Sequence, residues 1–207
     1  MHRTPALLPA LAVSSLLLLS ACGNGEPELP PLPDSQEAFW SALQAHCGGA
    51  YADVGDDNTD RIMHVRQCMD DEIRIPLHVR DGDDQEWNRS RTWIVTRHED
   101  GLRLKHDHRY PDGTEEDVTQ YGGDTQDEGT SEAQEFWADE FTAEVIGEMV
   151  SGVELNVWTM EIEEGQRFAY QLRRTGEQWR VRWEFDLTEE VDAPPAPWGY
   201  EDTEPTH

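Results

Sequence analysis

The segment Trp179-Arg180-Val181-Arg182-Trp183-Glu184-Phe185-Asp186-Leu187 alternates large apolar and charged or acidic side chains without a break. In an extended strand successive side chains point to opposite faces, so this pattern puts all the apolar groups on one side. A chain carrying it must bury one face of a β-sheet. The same period recurs upstream, where Ile73, Ile75, Leu77 and Val79 alternate within Glu72 to Arg80, and Arg91 to His98 centres on Trp93-Ile94-Val95. Further strands are expected at Arg61 to Cys68, Leu102 to Arg109, Glu115 to Tyr121, Gln134 to Trp137, Asn156 to Glu163 and Phe168 to Leu172. Turn signals separate them at Glu99-Asp100-Gly101, Tyr110-Pro111-Asp112-Gly113, Glu164-Gly165 and Thr175-Gly176-Glu177. Pro76 lies inside its run, which predicts an edge strand or a bulge there.

Two short helices punctuate the strands. Asp34 with Glu37 reads as a capping box for a helix carrying Phe39, Trp40 and Leu43 and ending at Cys47-Gly48-Gly49. Asp139 is placed to cap a second, running through Glu148 with Phe141, Val145 and Ile146 on one side. There are no internal repeats and no helical crossovers between strands, which argues against a parallel sheet. The expectation is a mainly β domain over residues 34–190. Its strands form an antiparallel up-and-down barrel of lipocalin or calycin type, or a strongly curved sheet, with two short helices. An open sheet packed on a helix is the alternative. Residues 191–207 form an acidic, proline-rich tail from which Trp198 and Tyr200 fold back.

The start of the chain reads differently. Arg3 and the apolar run Leu7 to Leu19 have the layout of an export signal, too short and too proline-interrupted for a membrane span. Leu19-Ser20-Ala21-Cys22 resembles a bacterial lipobox. That resemblance implies a signal peptide over residues 1–21, lipidation of Cys22, and a membrane partner held through that lipid. It places the protein in the cell envelope, periplasmic or at the surface. Gly23 in place of an aspartate implies no inner-membrane retention. Residues 22–33 then form a proline-rich, extended tether.

Acidic residues number 44 against 16 basic ones, Lys105 being the only lysine, for a formal charge of −28. Such a surface argues against nucleic acid as a partner and fits an exported protein kept soluble by carboxylates. With Cys22 assigned to lipid, Cys47 and Cys68 are expected to form a disulfide, worth about 3 kcal/mol on a chain-entropy estimate. Zinc held by those cysteines with His46 and His64 has no finger-like spacing. The acidic run Asp56 to Asp60 lacks the glycine and distal glutamate of a calcium loop and reads as a solvated turn.

His106 and His108 are the one chemically pointed feature. Leu102 and Leu104 set a register that turns both imidazoles inward and Arg103, Lys105, Asp107 and Arg109 toward water. Two histidines on one strand face can ligate a metal, with His64, His98 or Glu184 as a third ligand. More ordinary roles are hydrogen bonding inside a barrel, and a pair of cross-strand surface charges for Asp107 and Arg109. The aromatic set Trp93, Trp158, Phe168, Tyr170, Trp179, Trp183 and Phe185 can fill a small barrel or line a cavity. No nucleophile elbow, zinc-protease helix, phosphate loop or dinucleotide fingerprint occurs, so no cofactor is implied.

Phe39-Trp40, His46-Cys47-Gly48, Ser90-Arg91-Thr92-Trp93, Leu104 to Arg109, Val118-Thr119-Gln120-Tyr121-Gly122-Gly123 and Ala196-Pro197-Trp198-Gly199 together resemble a group of exported bacterial proteins with no assigned activity. The resemblance implies a shared fold and no chemistry. Three readings follow from the sequence. The first is a non-catalytic barrel binding a small apolar or amphipathic ligand through His106, His108, Trp93, Tyr170 and Trp183. The second is a metal-dependent enzyme centred on His106 and His108. The third is an envelope component acting through protein contacts.

Overall fold

The computed structural model describes residues 30–55, 58–81, 86–177 and 179–206. The signal, Cys22 and most of the tether lie outside them, as do parts of the acidic turn. Leu32, assigned above to the tether, is only 8% exposed and already belongs to the core. In chain order the elements are α1 (Asp34–Gln44), β1 (Ala50–Ala52), β2 (Thr59–His64), β3 (Gln67–Cys68), β4 (Glu72–Asp81), β5 (Asn88–His98) and β6 (Gly101–His108). They continue with β7 (Tyr121–Thr125), β8 (Ala133–Ala138), α2 (Glu140–Glu144), β9 (Asn156–Glu163), β10 (Arg167–Arg174) and β11 (Trp179–Asp186).

All strand pairs are antiparallel, and the sheet runs β1-β2-β4-β5-β6-β7-β8-β9-β10-β11 with β3 also on β4. This up-and-down order curls into a barrel that is nearly closed, with one unsealed seam. Across the seam Asp53 bridges Phe185, and the Val54 amide donates to the Glu184 carbonyl at 2.8 Å.

Several local departures from the sequence reading have physical causes. Pro76 is in an interior strand and not at an edge, but the pairing of β4 with β5 shifts register just beyond it, between Leu77 and Val79, as the bulge alternative expects. β2 and β3 share the same side of β4 and break at Val65-Arg66, so the position opposite Pro76 needs no donor from it, while Thr92 pairs with it on the other side. The same break divides the single strand expected over Arg61 to Cys68. The strand expected at Glu115 to Tyr121 instead begins at Tyr121 and runs through Gly122-Gly123. A Cβ at Gly122 would stand 1.9 Å from the Leu104 carbonyl oxygen, and one at Gly123 would stand 1.6 Å from that of Trp137. Only glycine lets β7 approach both neighbours this closely. Gln120, just before it, is held at φ +55 by contacts of its side chain to Asp107 and Glu115.

α1 starts without a capping box. Asp34 is its first residue, the Pro33 carbonyl accepts from the Glu37 amide, and the Glu37 carboxylate pairs with Arg97 at 2.6 Å. The second helix is shorter than expected. Asp139 does cap it, accepting from the Thr142 amide, but α2 ends at Glu144 and two 3-10 turns (Ile146–Glu148 and Val153–Leu155) follow. Of its expected apolar stripe only Ile146 is buried; Phe141 is 41% exposed and Val145 48%.

α1 plugs one end of the barrel. Phe39, Trp40 and Leu43 are fully buried among strand side chains, the Gln36 amide reaches Thr125 at 3.1 Å, and Cys47 is bonded to Cys68. That bond consumes the two thiolates of the zinc alternative. His46 is likewise fixed: its Nε2 accepts from the Gly165 amide, so its Nδ1–H donates to the Tyr51 hydroxyl at 2.9 Å.

The tail is a strap on the outer wall. The Pro195 carbonyl accepts from His78 Nε2, the Ala196 carbonyl from Arg89, and the Thr206 hydroxyl from the Cys68 amide. Tyr200 donates to Asp107 at 2.5 Å and Trp198 lies under Arg89. The strap corrects one expectation. Asp107 faces outward as its register requires, yet its side chain is fully buried beneath Tyr200, bonded also by Arg109 and Gln120.

Candidate functional site

The end opposite α1 is formed by the segment joining β6 to β7, by α2 and the two 3-10 turns, and by the β10–β11 turn. Within it lies a cavity of about 310 Å³. Its walls are Val118, Ile146, Val150, Val153, Trp158, Leu172, Val181 and Trp183, and its polar groups come from His108, Glu116, Tyr121, Asn156 and Tyr170. Strand alternation supplies Trp158, Tyr170, Leu172, Val181 and Trp183. The segment after α2 supplies Ile146, Val150 and Val153, and the β6–β7 segment supplies Val118, while Phe141, Val145, Met149 and Leu155 stay outside, each more than two-fifths exposed.

An aromatic partition closes the floor. Tyr170 packs against both Trp93 (4.5 Å) and Trp183 (5.5 Å), whose own rings are 6.4 Å apart, while His106 stacks on Tyr121 at 4.6 Å and tilts against Trp158. A hydrogen-bonded line runs through it. The Tyr121 carbonyl can only accept, so His106 Nδ1 is the protonated nitrogen (3.1 Å), and Nε2 accepts from the Tyr170 hydroxyl (2.8 Å). Next along β6, His108 Nε2 is 3.2 Å from the Tyr121 hydroxyl and its Nδ1 is 3.9 Å from Glu116.

Burial keeps this line neutral. It pushes His106 down to about 3, and burial together with the Arg91 charge pushes His108 down to about 4. Burial raises Tyr121 to about 12 and Tyr170 well above its ordinary value. No member exchanges a proton near neutral pH, and Glu116 faces an uncharged imidazole. The line orients the side chains that face the cavity.

Of the residues singled out from sequence, His108, Tyr170 and Trp183 border the cavity. His106 and Trp93 lie behind the floor, 3% and 2% exposed, and act through Tyr170. Both nitrogens of His106 are already bonded. Among the described residues no group of three His, Cys, Asp or Glu side chains converges as a metal would require. The proposed third ligands are committed elsewhere: His64 to the Gly48 carbonyl at 3.2 Å, and Glu184 to Arg182 at 2.9 Å, while His98 ends β5 opposite Gly101. Missing from the sequence reading as cavity residues are Ile146, Val150 and Val153, and also Glu116, Val118, Tyr121, Asn156, Leu172 and Val181. The signal for the first three was present, since apolar residues between 141 and 155 occupy more than one helical face.

No family model, curated protein or solved structure matches this chain.

Proposed function

We propose that the protein is a lipid-anchored envelope barrel that holds a small apolar or amphipathic ligand in its mouth and performs no chemistry on it. The observation that carries this reading is the cavity of about 310 Å³, walled mainly by aliphatic and indole groups with a few polar groups among them. Binding sites for small molecules have this make-up and begin at about this size. A floor whose histidines and tyrosines burial keeps uncharged supports binding over catalysis, because it offers fixed donors and acceptors.

The anchor is part of the same proposal. Cys22 carries the lipid, the cell envelope is the location, and a bilayer is the partner through that lipid. Native mass spectrometry on protein extracted from its own envelope tests both halves. The expected result is a lipid mass on Cys22 and a separate small molecule that is lost on unfolding and absent from Leu172→Trp. Protein extracted without any companion molecule would overturn the binding reading, and an unmodified Cys22 would overturn the anchor.

A second reading has its own observation. Phe141, Val145, Met149 and Leu155 are exposed within one segment of the rim, which suits a protein contact. Site-specific cross-linking from Met149 is expected to recover one defined partner on that reading, and none on the first.

A further inference from the structure

We propose that the ligand is a single-chain amphiphile with a zwitterionic head, its tail in the mouth cavity and its head in a second pocket in the barrel seam. This rests on the mouth cavity being a ligand site and adds the ligand's class and its orientation. β1 ends at Ala52, whereas β11 reaches back to Trp179, so the two edges part beyond the Asp53–Phe185 bridge. The gap holds a pocket of about 410 Å³ lined by Asp53, Val54, Arg61, Arg182, Trp183 and Glu184 among others. Trp183 also lines the mouth cavity, so one indole is the common wall of an apolar space inside the barrel and a polar space at its side. One face of that indole stacks on Tyr170, and the Arg61 guanidinium lies 5.3 Å from its centroid. The proposed pose requires Trp183 to turn so that the two spaces join.

The seam pocket carries balanced charge. Asp53 pairs with Arg61 at 2.7 Å, and Glu184 with Arg182 at 2.9 Å. Arg182 also meets Glu161 at 3.2 Å, and Arg167 bridges Glu161 and Glu184. An anionic head entering this pocket meets Asp53 and Glu184, and a cationic head meets Arg61 and Arg182. A zwitterion can exchange partners with both pairs and leave no charge unmatched. Arg61 now occupies the cation–π position over the indole, and on turning to the ligand's phosphate it leaves that position to the quaternary ammonium. The chain's formal charge of −28 further disfavours anionic amphiphiles at long range.

The test uses four probes with one tail, dodecylphosphocholine, dodecanoate, dodecyltrimethylammonium and dodecanol, each titrated below its micellar concentration at physiological salt. Dodecylphosphocholine is expected to bind one to one and about tenfold tighter than any of the other three, a margin equal to one charge-assisted contact. Arg182→Gln, at an exposed position, is expected to move the preference toward dodecyltrimethylammonium, and Glu184→Gln toward dodecanoate. Trp183→Ala is expected to raise both the association and the dissociation rate. If dodecanol binds as tightly as dodecylphosphocholine and neither charge variant changes the ranking, the head site is overturned while the mouth cavity stands. If none of the four binds, the cavity reading fails and this one with it.

Discussion

The two ends of this barrel are built by opposite rules. At the α1 end, short turns, a disulfide and a helix bearing Phe39, Trp40 and Leu43 leave those three side chains at most 1% exposed. At the mouth, the connections are long, the wall residues Leu172 and Val181 are only half-buried, and a cavity remains. Close-packed interiors supply most of a small domain's stability, and ligand sites are drawn from its least consolidated parts. Sealing one end lets the other stay hollow. Each of the following experiments tries to erase that contrast, beginning with the one expected to have the largest effect.

Trp40→Ala at the plugged end is expected to cost about 3–5 kcal/mol, read from the denaturant midpoint at constant slope. A loss near that of an exposed site would mean that the plug is not a core. Replacing both Cys47 and Cys68 by serine is expected to cost about 3 kcal/mol and to leave probe binding at the mouth unchanged, because the bond fastens only the α1 end. If that variant lost binding with little loss of stability, the two ends would be coupled after all.

Acid is expected to act through the partition between them. His106 is held at about 3 when folded and titrates near 6.5 when unfolded. Between those values the unfolded chain binds the extra proton, so stability is full above about pH 6.5 and falls as the pH drops toward 3. His106→Asn is expected to flatten that fall by about 1.4 kcal/mol per pH unit, the value for one proton. Relief of carboxylate repulsion is common to both chains and cancels in the difference. Parallel stability–pH curves for the two proteins would remove His106 from the account.

At the mouth the ranking of effects inverts. Leu172→Ala is expected to cost about 1 kcal/mol of stability, less than the usual core value because its site is already partly void, while weakening dodecanol binding several-fold. Phe141→Ser, on the outer side of the rim, is expected to shift stability by no more than about 0.5 kcal/mol. A larger loss there would show that the rim is a packed surface.

The sequence was most readable where one physical rule acts alone. Period-2 alternation located the β5, β6 and β11 strands, glycine-bearing turns joined them, and the pair Cys47 and Cys68 closed as a disulfide. It was least readable where a residue serves contacts distant in sequence. Asp107 follows its register outward, but Tyr200, 93 positions along, covers it. Asp34 and Glu37 have capping-box spacing, but the Pro33 carbonyl takes the Glu37 amide and Arg97 takes the side chain. The histidine strand shows both cases. Leu102 and Leu104 correctly turned His106 inward, yet whether it met a cavity or a floor depended on Tyr170 and Tyr121 arriving from other strands. The hollow itself was invisible to periodicity, because its far wall comes from Ile146, Val150 and Val153 in irregular structure.

Crystals under xenon pressure test the contrast most directly, since the gas settles in apolar voids of this kind. The account predicts xenon at the mouth between Trp158, Leu172 and Val181, none around Phe39, Trp40 and Leu43, and loss of the mouth site in Leu172→Trp. Xenon within the α1 end, or none at the mouth, would contradict it.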